Sequence, residues 1–147
     1  MDDFIAKVFD YIPSNITLDK SIVNNIYQYL VSLGYTPTAD DSFLIAYYII
    51  DQSYSIQTVI DTTTMPDGLN TTLINRVCGY FLSAKISSGE ISSDNFSYDD
   101  IVSSLKEGDT QVNYDTSTNK NALLKQLLDN LKLSGADVIL KYRRIKW

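Results

Sequence analysis

Apolar residues recur at three- and four-residue intervals in successive stretches of the chain, and each stretch stops near a proline or a glycine. That spacing keeps apolar side chains on one face of a 3.6-residue turn, so it predicts amphipathic helices rather than strands. Phe4, Ile5, Val8, Phe9 and Ile12 form the first stripe, closed by Pro13. Leu18, Ile22, Ile26, Leu30 and Leu33 form the second, over about residues 17–33, with Gly34 placed to cap it. A third helix starts at Thr38 or Asp40, both suited to an N-cap, and runs to about Asp51 or a little beyond. Phe43, Leu44, Tyr47, Tyr48 and Ile50 make it apolar over most of its circumference, which predicts burial on several sides. Ile56, Val59 and Ile60 could lengthen it, until residues 62–68 (Thr-Thr-Thr-Met-Pro-Asp-Gly) stop it. A fourth helix begins near Asn70 or Thr71, carries Leu73, Ile74, Val77, Cys78, Phe81 and Leu82, and fades at Ser87-Ser88-Gly89. The last carries Leu123, Leu124, Leu127, Leu128 and Leu131, with Gly135 as its cap.

Two segments break the pattern. Residues 92–100 are polar and loop-like, with Phe96 and Tyr98 as isolated aromatics. After them, residues 101–106 and 110–114 are short runs holding β-branched residues on either side of Glu107-Gly108-Asp109, which predicts a β-hairpin. Ile101 and Leu105 would also suit one helical turn. Residues 138–147 are rich in strand-favouring side chains and predict an extended tail, apolar and open to pairing with another sheet edge. The expected fold is therefore mainly α: a compact bundle of about five helices with a small β-hairpin and an extended C-terminal tail. The expected division is a helical domain at residues 1–137, containing the hairpin at 101–114, and a docking tail at 138–147.

Composition narrows the chemistry. A chain of 147 residues is the size of one domain and can bury a real core. It contains no histidine, which removes the commonest general base, the Ser-His and Cys-His pairs, and most zinc and iron sites. Its single cysteine, Cys78, forbids an internal disulfide and sits within an apolar stripe as a small core residue. The adjacent carboxylates Asp2-Asp3, Asp40-Asp41 and Asp99-Asp100 point about 100° apart on a helix, so they favour helix starts rather than a converging acid pair. Residues 106–110 lack the glycine spacing of a phosphate loop. No catalytic residue, metal ligand or cofactor site is expected, and the chain is not expected to be an enzyme. The acidic start, Met1-Asp2-Asp3-Phe4, does not read as a signal peptide, and no apolar run is long enough to span a membrane.

Charge is unevenly spread. Residues 138–147 carry Lys141, Arg143, Arg144 and Lys146 with no acid, a local +4 on a chain of net −6, so the remaining body carries −10. An acidic body disfavours general nucleic-acid binding, which depends on neutralising phosphates. Its basic, apolar end suggests a partner with an acidic surface; the alternative is a tail that folds back on its own domain. Eleven tyrosines point to amphipathic surface of the kind that meets a partner.

The segment Leu105-Lys106-Glu107-Gly108-Asp109-Thr110-Gln111-Val112 resembles the "I-K-x-G-D-T-x-V" strand-turn-strand of the head–tail connector (adaptor) proteins of long-tailed double-stranded DNA phages. The close, Tyr142-Arg143-Arg144-Ile145-Lys146-Trp147, is similar to the aromatic-basic "Y-R-K/R-x-x-W" ending of that family. The resemblance runs in order over about residues 15–147, with Leu105 where isoleucine is usual, and with the first helix and residues 87–99 as additions. It implies a mainly helical structural virion protein that forms a ring, usually of twelve copies, beneath the portal protein at the head–tail interface. Such a ring extends the DNA channel, lets DNA pass without specific binding, and offers a platform to the next neck or tail completion protein. It needs no cofactor and no membrane, and assembles in the host cytoplasm. On this reading Leu140, Tyr142, Arg143, Arg144, Ile145 and Trp147 dock to the portal or a neighbour. The hairpin residues Leu105, Lys106, Glu107, Gly108, Asp109 and Thr110 set subunit geometry, and Asp61 and Asp67 are candidates for the channel lumen. The alternatives are a small helical regulatory or interaction protein of a phage or bacterium that forms no ring, and a nucleic-acid binder that uses the basic tail.

Overall fold

The computed structural model describes residues 2–62, 65–107 and 120–142, and every regular element among them is helical. In chain order these are α1 (Asp2–Tyr11), α2 (Lys20–Ser32), α3 (Ser42–Ile60), α4 (Asn70–Ser87), α5 (Tyr98–Glu107), α6 (Lys120–Lys132) and α7 (Ala136–Tyr142). Single 3₁₀ turns at Ala39–Asp41, Asp67–Leu69 and Ser93–Asn95 lead into α3, α4 and the approach to α5.

The local chemistry explains where these helices begin and end. The Asp19 carboxylate accepts from the Ser21 N–H at 2.9 Å and caps α2. At its other end Gly34 turns left-handed at φ 103°, and the Tyr35 N–H returns to the Leu30 carbonyl at 2.9 Å. A side chain at residue 34 would also press on the Asn95 carbonyl at 3.2 Å, so glycine is needed here for both backbone and space. α3 does not stop near Asp51; Ile56 and Ile60 continue its buried stripe until Asp61 turns left-handed at φ 56°.

α4 is the hub, packed on α2, α3 and α6. α1 and α7 lie against α3, and α5 lies against α6. Ile26, Leu30, Ile45, Ile49, Val77, Phe81 and Leu123 are wholly inside, each contributing about 1.5–3 kcal/mol through burial. Cys78 lies among them, and burial pushes its thiol pKa far up, so it stays protonated. Gly79 brings the α6 backbone against α4: a Cβ there would stand 2.8 Å from the Leu131 Cβ and 3.0 Å from the Lys132 nitrogen.

Two expectations are corrected. Residues 101–106, read as the first arm of a hairpin, form most of α5 instead. Ile101 and Leu105, four residues apart, are both buried, and the Ser97 hydroxyl oxygen caps the helix by accepting from the Asp100 N–H at 3.0 Å. A helical stripe with a surface to cover outweighs a few β-branched residues. Gly108, Asp109 and Thr110, with the second arm, lie outside the described residues.

The second correction concerns the tail, which is helical rather than extended from residue 138 to Tyr142. Arg76 donates from Nε to the Ser134 carbonyl at 2.9 Å and Asn75 from Nδ2 to the Ser134 hydroxyl at 3.0 Å, so α4 holds the turn after α6. Gly135, at φ 72° and tight against Thr72, then aims the chain at α3, where Ile139 is 4% exposed. A seven-residue helix does not stand alone in water, so α7 exists because of this packing. Ile139→Ala is therefore expected to cost about 2 kcal/mol, read as a lowered midpoint in urea unfolding. A midpoint equal to that of the parent chain would show that α7 is not part of the core.

Candidate functional site

α3 is less enclosed than its composition predicts. Ile45, Ala46, Ile49, Ser53 and Ile56 face inward, but Phe43, Tyr47 and Tyr54 are 60%, 52% and 46% exposed. Phe43 meets Tyr11 of α1 edge-to-face, with ring centroids 5.3 Å apart. One turn on, Tyr47 lies edge-to-face on Tyr48 at 5.2 Å, and Tyr48 stacks on Tyr80 of α4 at 5.8 Å. The Lys132 ammonium closes the row 5.5 Å above the Tyr80 ring. Burial raises the Tyr48 phenol pKa, with Tyr47 and Asp51 adding to the shift, so this hydroxyl stays a neutral donor. The result is a row of rings from three helices, with a cation from a fourth at its end, and aromatic side chains are enriched among those that carry binding energy at protein interfaces.

A groove of about 990 Å³, lined in part by Tyr54, opens beside the second half of α3, between the connection that precedes α2 and the segment that precedes α4. Asp19, Asp61 and Asp67 all line it, brought together from three separate stretches. The two channel candidates from the sequence, Asp61 and Asp67, are thus placed in one groove and both are exposed.

The remaining sequence-derived positions scatter. Leu105 is buried in the core, Lys106 is exposed in the last turn of α5, and Glu107 is the final residue of that helix. Leu140 and Tyr142 are exposed on α7, while Arg143, Arg144, Ile145 and Trp147 lie outside the described residues.

Sequence reasoning finds only the local half of one polar cluster. Asp41 is 2% exposed and pairs with the Lys85 ammonium at 2.6 Å. Its carboxylate also accepts from the Tyr35 hydroxyl at 2.7 Å and the Thr38 N–H at 3.0 Å, and Lys85 bridges on to Glu90. The Thr38-x-x-Asp41 spacing is a capping box and marks the local half of the cluster; nothing local marks Lys85. Together these groups pin the α2–α3 connection to the end of α4.

Among the described residues no three His, Cys, Asp or Glu side chains gather as a metal site, and no helix is long and apolar enough to cross a membrane. Comparison with protein-family models, with curated proteins and with solved structures found no match to this chain.

Proposed function

We propose that the chain is the subunit of a ring-forming head–tail connector of a long-tailed double-stranded DNA phage, placed beneath the portal and carrying the next completion protein. The observation that carries this reading is the row of exposed rings on α3, set on an acidic helical body; the sequence resemblance at residues 142–147 supports it, while that at residues 105–112 is weakened by the helical conformation of Leu105–Glu107. A monomer that leaves Phe43, Tyr47 and Tyr54 in water holds apolar area ready for a neighbouring subunit. In a closed ring each copy presents the same patch to the next, so one row is used once per subunit. The acidic body supports the channel role, because a basic wall would hold phosphates and resist the passage of DNA. The neck location, the portal contact and the absence of catalysis are parts of the same proposal.

The test is size-exclusion with light scattering on the full chain, alone and with its cognate portal protein. A ring, or stable incorporation on the portal, is expected. Replacing Phe43 and Tyr47 together by glutamate should lower assembly at least tenfold while leaving helical circular dichroism intact, since both rings are surface groups. A chain that stays monomeric or dimeric and ignores the portal would support the regulatory reading instead.

A further inference from the structure

One polar group in the groove beside α3 is buried without a partner. Ser53 is 6% exposed and lines the groove, yet its hydroxyl makes no hydrogen bond among the described residues. A helical hydroxyl ordinarily bonds back to a carbonyl one turn earlier, as Thr58 does to the Tyr54 carbonyl at 2.8 Å. Leaving one buried and unpaired costs free energy, so the Ser53 hydroxyl stands ready for a ligand atom. Gln57, one turn along the same side of α3, adds a carboxamide to the lining. A hydroxyl and a carboxamide both donate and accept, which matches the N–H and C=O of a peptide backbone.

The walls and rim fix the rest of the ligand's chemistry. Leu18, Ile22, Met65 and Leu73 give apolar walls. A volume of about 990 Å³ is at the upper end of ordinary binding pockets, which run roughly 300–1,000 Å³, so several side chains fit. Among the described residues no lysine or arginine lines the groove, while carboxylates approach it from two sides. Asp67 stands exposed ahead of α4, and Asp19 holds the α2 cap through Oδ1, which leaves Oδ2. Asp61 already has a partner, so Asp67 and Asp19 carry the charge open to a ligand. An anion is repelled here, and a cation flanked by aliphatic groups is favoured.

We propose that the groove binds a short basic and aliphatic peptide segment of a partner protein. Its aliphatic side chains lie against Ile22, Met65 and Leu73, a backbone group meets the Ser53 hydroxyl, and a lysine or arginine pairs with Asp67. An exposed cation–aliphatic pair of the chain itself, Leu140-Lys141, sits in α7, where its N–H groups are already bonded within the helix. The segment therefore belongs to another protein rather than to that face of a second copy. This site goes beyond the connector reading and does not depend on it. Because Coulomb pairing at the rim is screened over about 8 Å at 0.15 M ionic strength, added salt weakens the binding.

Isothermal titration calorimetry on the full chain tests this, and it reads binding per subunit whether or not the chain assembles. The probe is the peptide acetyl-Leu-Arg-Leu-Lys-Leu-amide. Saturable one-to-one binding is expected, at least tenfold tighter than for the same peptide with glutamate at both basic positions. Diaminooctane, which carries two cations but no peptide group, should also bind at least tenfold more weakly. Ser53→Ala should weaken the basic peptide several-fold while leaving the urea midpoint equal or higher, because the hydroxyl bonds nothing inside the protein and alanine favours the helix. Asp67→Lys should weaken the basic peptide at least fivefold and improve binding of the glutamate peptide. Absence of saturable heat would overturn the site. So would binding that ignores both variants, which would place the peptide elsewhere. Equal binding of diaminooctane would remove the peptide from the proposal, and a lower urea midpoint in Ser53→Ala would assign the hydroxyl to the fold instead.

Discussion

Gly79→Val is expected to be the most damaging single substitution in this protein, lowering stability by on the order of 4 kcal/mol. The reason is the contact between α4 and α6. A Cβ at residue 79 meets the Leu131 Cβ at 2.8 Å, the Lys132 nitrogen at 3.0 Å and the Leu128 carbonyl oxygen at 3.2 Å. Two of these three are backbone atoms, which cannot swing aside as a side-chain tip would. Valine adds two further methyls, so α6 must move away as a body and loosen the packing of Leu127, Leu128 and Leu131. Gly79→Ala separates the two contributions. Alanine gains about 1 kcal/mol of helix propensity over glycine but suffers the same first contact, so a net loss of about 1–2 kcal/mol is expected. Urea unfolding followed by circular dichroism measures both. An alanine variant more stable than the parent chain would show that the two helices are not in backbone contact.

The second large effect belongs to the Asp41–Lys85 pair. Lys85→Met leaves a carboxylate that is 2% exposed without its cation, and breaking a buried pair from one side costs about 3–5 kcal/mol. Asp41→Asn should cost less, because Lys85 keeps Glu90 and the amide oxygen can still accept from Tyr35 and Thr38. Combining Lys85→Met with Asp41→Asn should recover much of the loss of Lys85→Met alone, since no charge is then left buried. Simple addition of the two single losses would show that the ions do not interact.

The same cluster sets the alkaline limit of the fold. Burial, then the hydrogen bond and charge of Asp41, push the Tyr35 phenol from 10.0 up to about 12. Burial opposes the charge of Lys85, but its bonds to Asp41 and Glu90 outweigh that and raise its pKa well above 10.5. Both shifts favour the protonated group in the folded state. Their contribution is therefore complete below about pH 10, where the unfolded groups begin to titrate, and is lost as pH rises through the folded values. Urea midpoints should be flat across neutral pH and fall above pH 10, with a shallower fall in Tyr35→Phe. A Tyr35→Phe profile identical to that of the parent chain would remove the phenol from this account.

Much of the fold is legible in the residues. The stripes of α1, α2, α4 and α6, the caps at Gly34 and Gly135 and the burial of Cys78 all follow from local spacing. These are properties of a few consecutive turns, so a reader of the chain has all the needed information. The short segments are different. Ile101 and Leu105 suit either a strand or a helical turn, and the choice falls to α5 because α6 offers a surface for that pair. Residues 136–142 become a helix only because α4 holds the preceding turn and α3 receives Ile139.

The candidate site depends on distance along the chain even more strongly. Composition announces many tyrosines, but α3 reads as apolar almost all round, and which side stays in water depends on where α1, α4 and α7 cover it. Asp41 shows its capping role in Thr38-x-x-Asp41, yet its cation comes from the far end of α4. Asp19, Asp61 and Asp67 become one groove only when three connections meet. Periodicity and caps are fixed by neighbours in sequence, whereas exposure, ion pairing and grooves are fixed by neighbours in space. The residues of this chain therefore determine its helices, and only their packing decides which rings and carboxylates it presents to a partner.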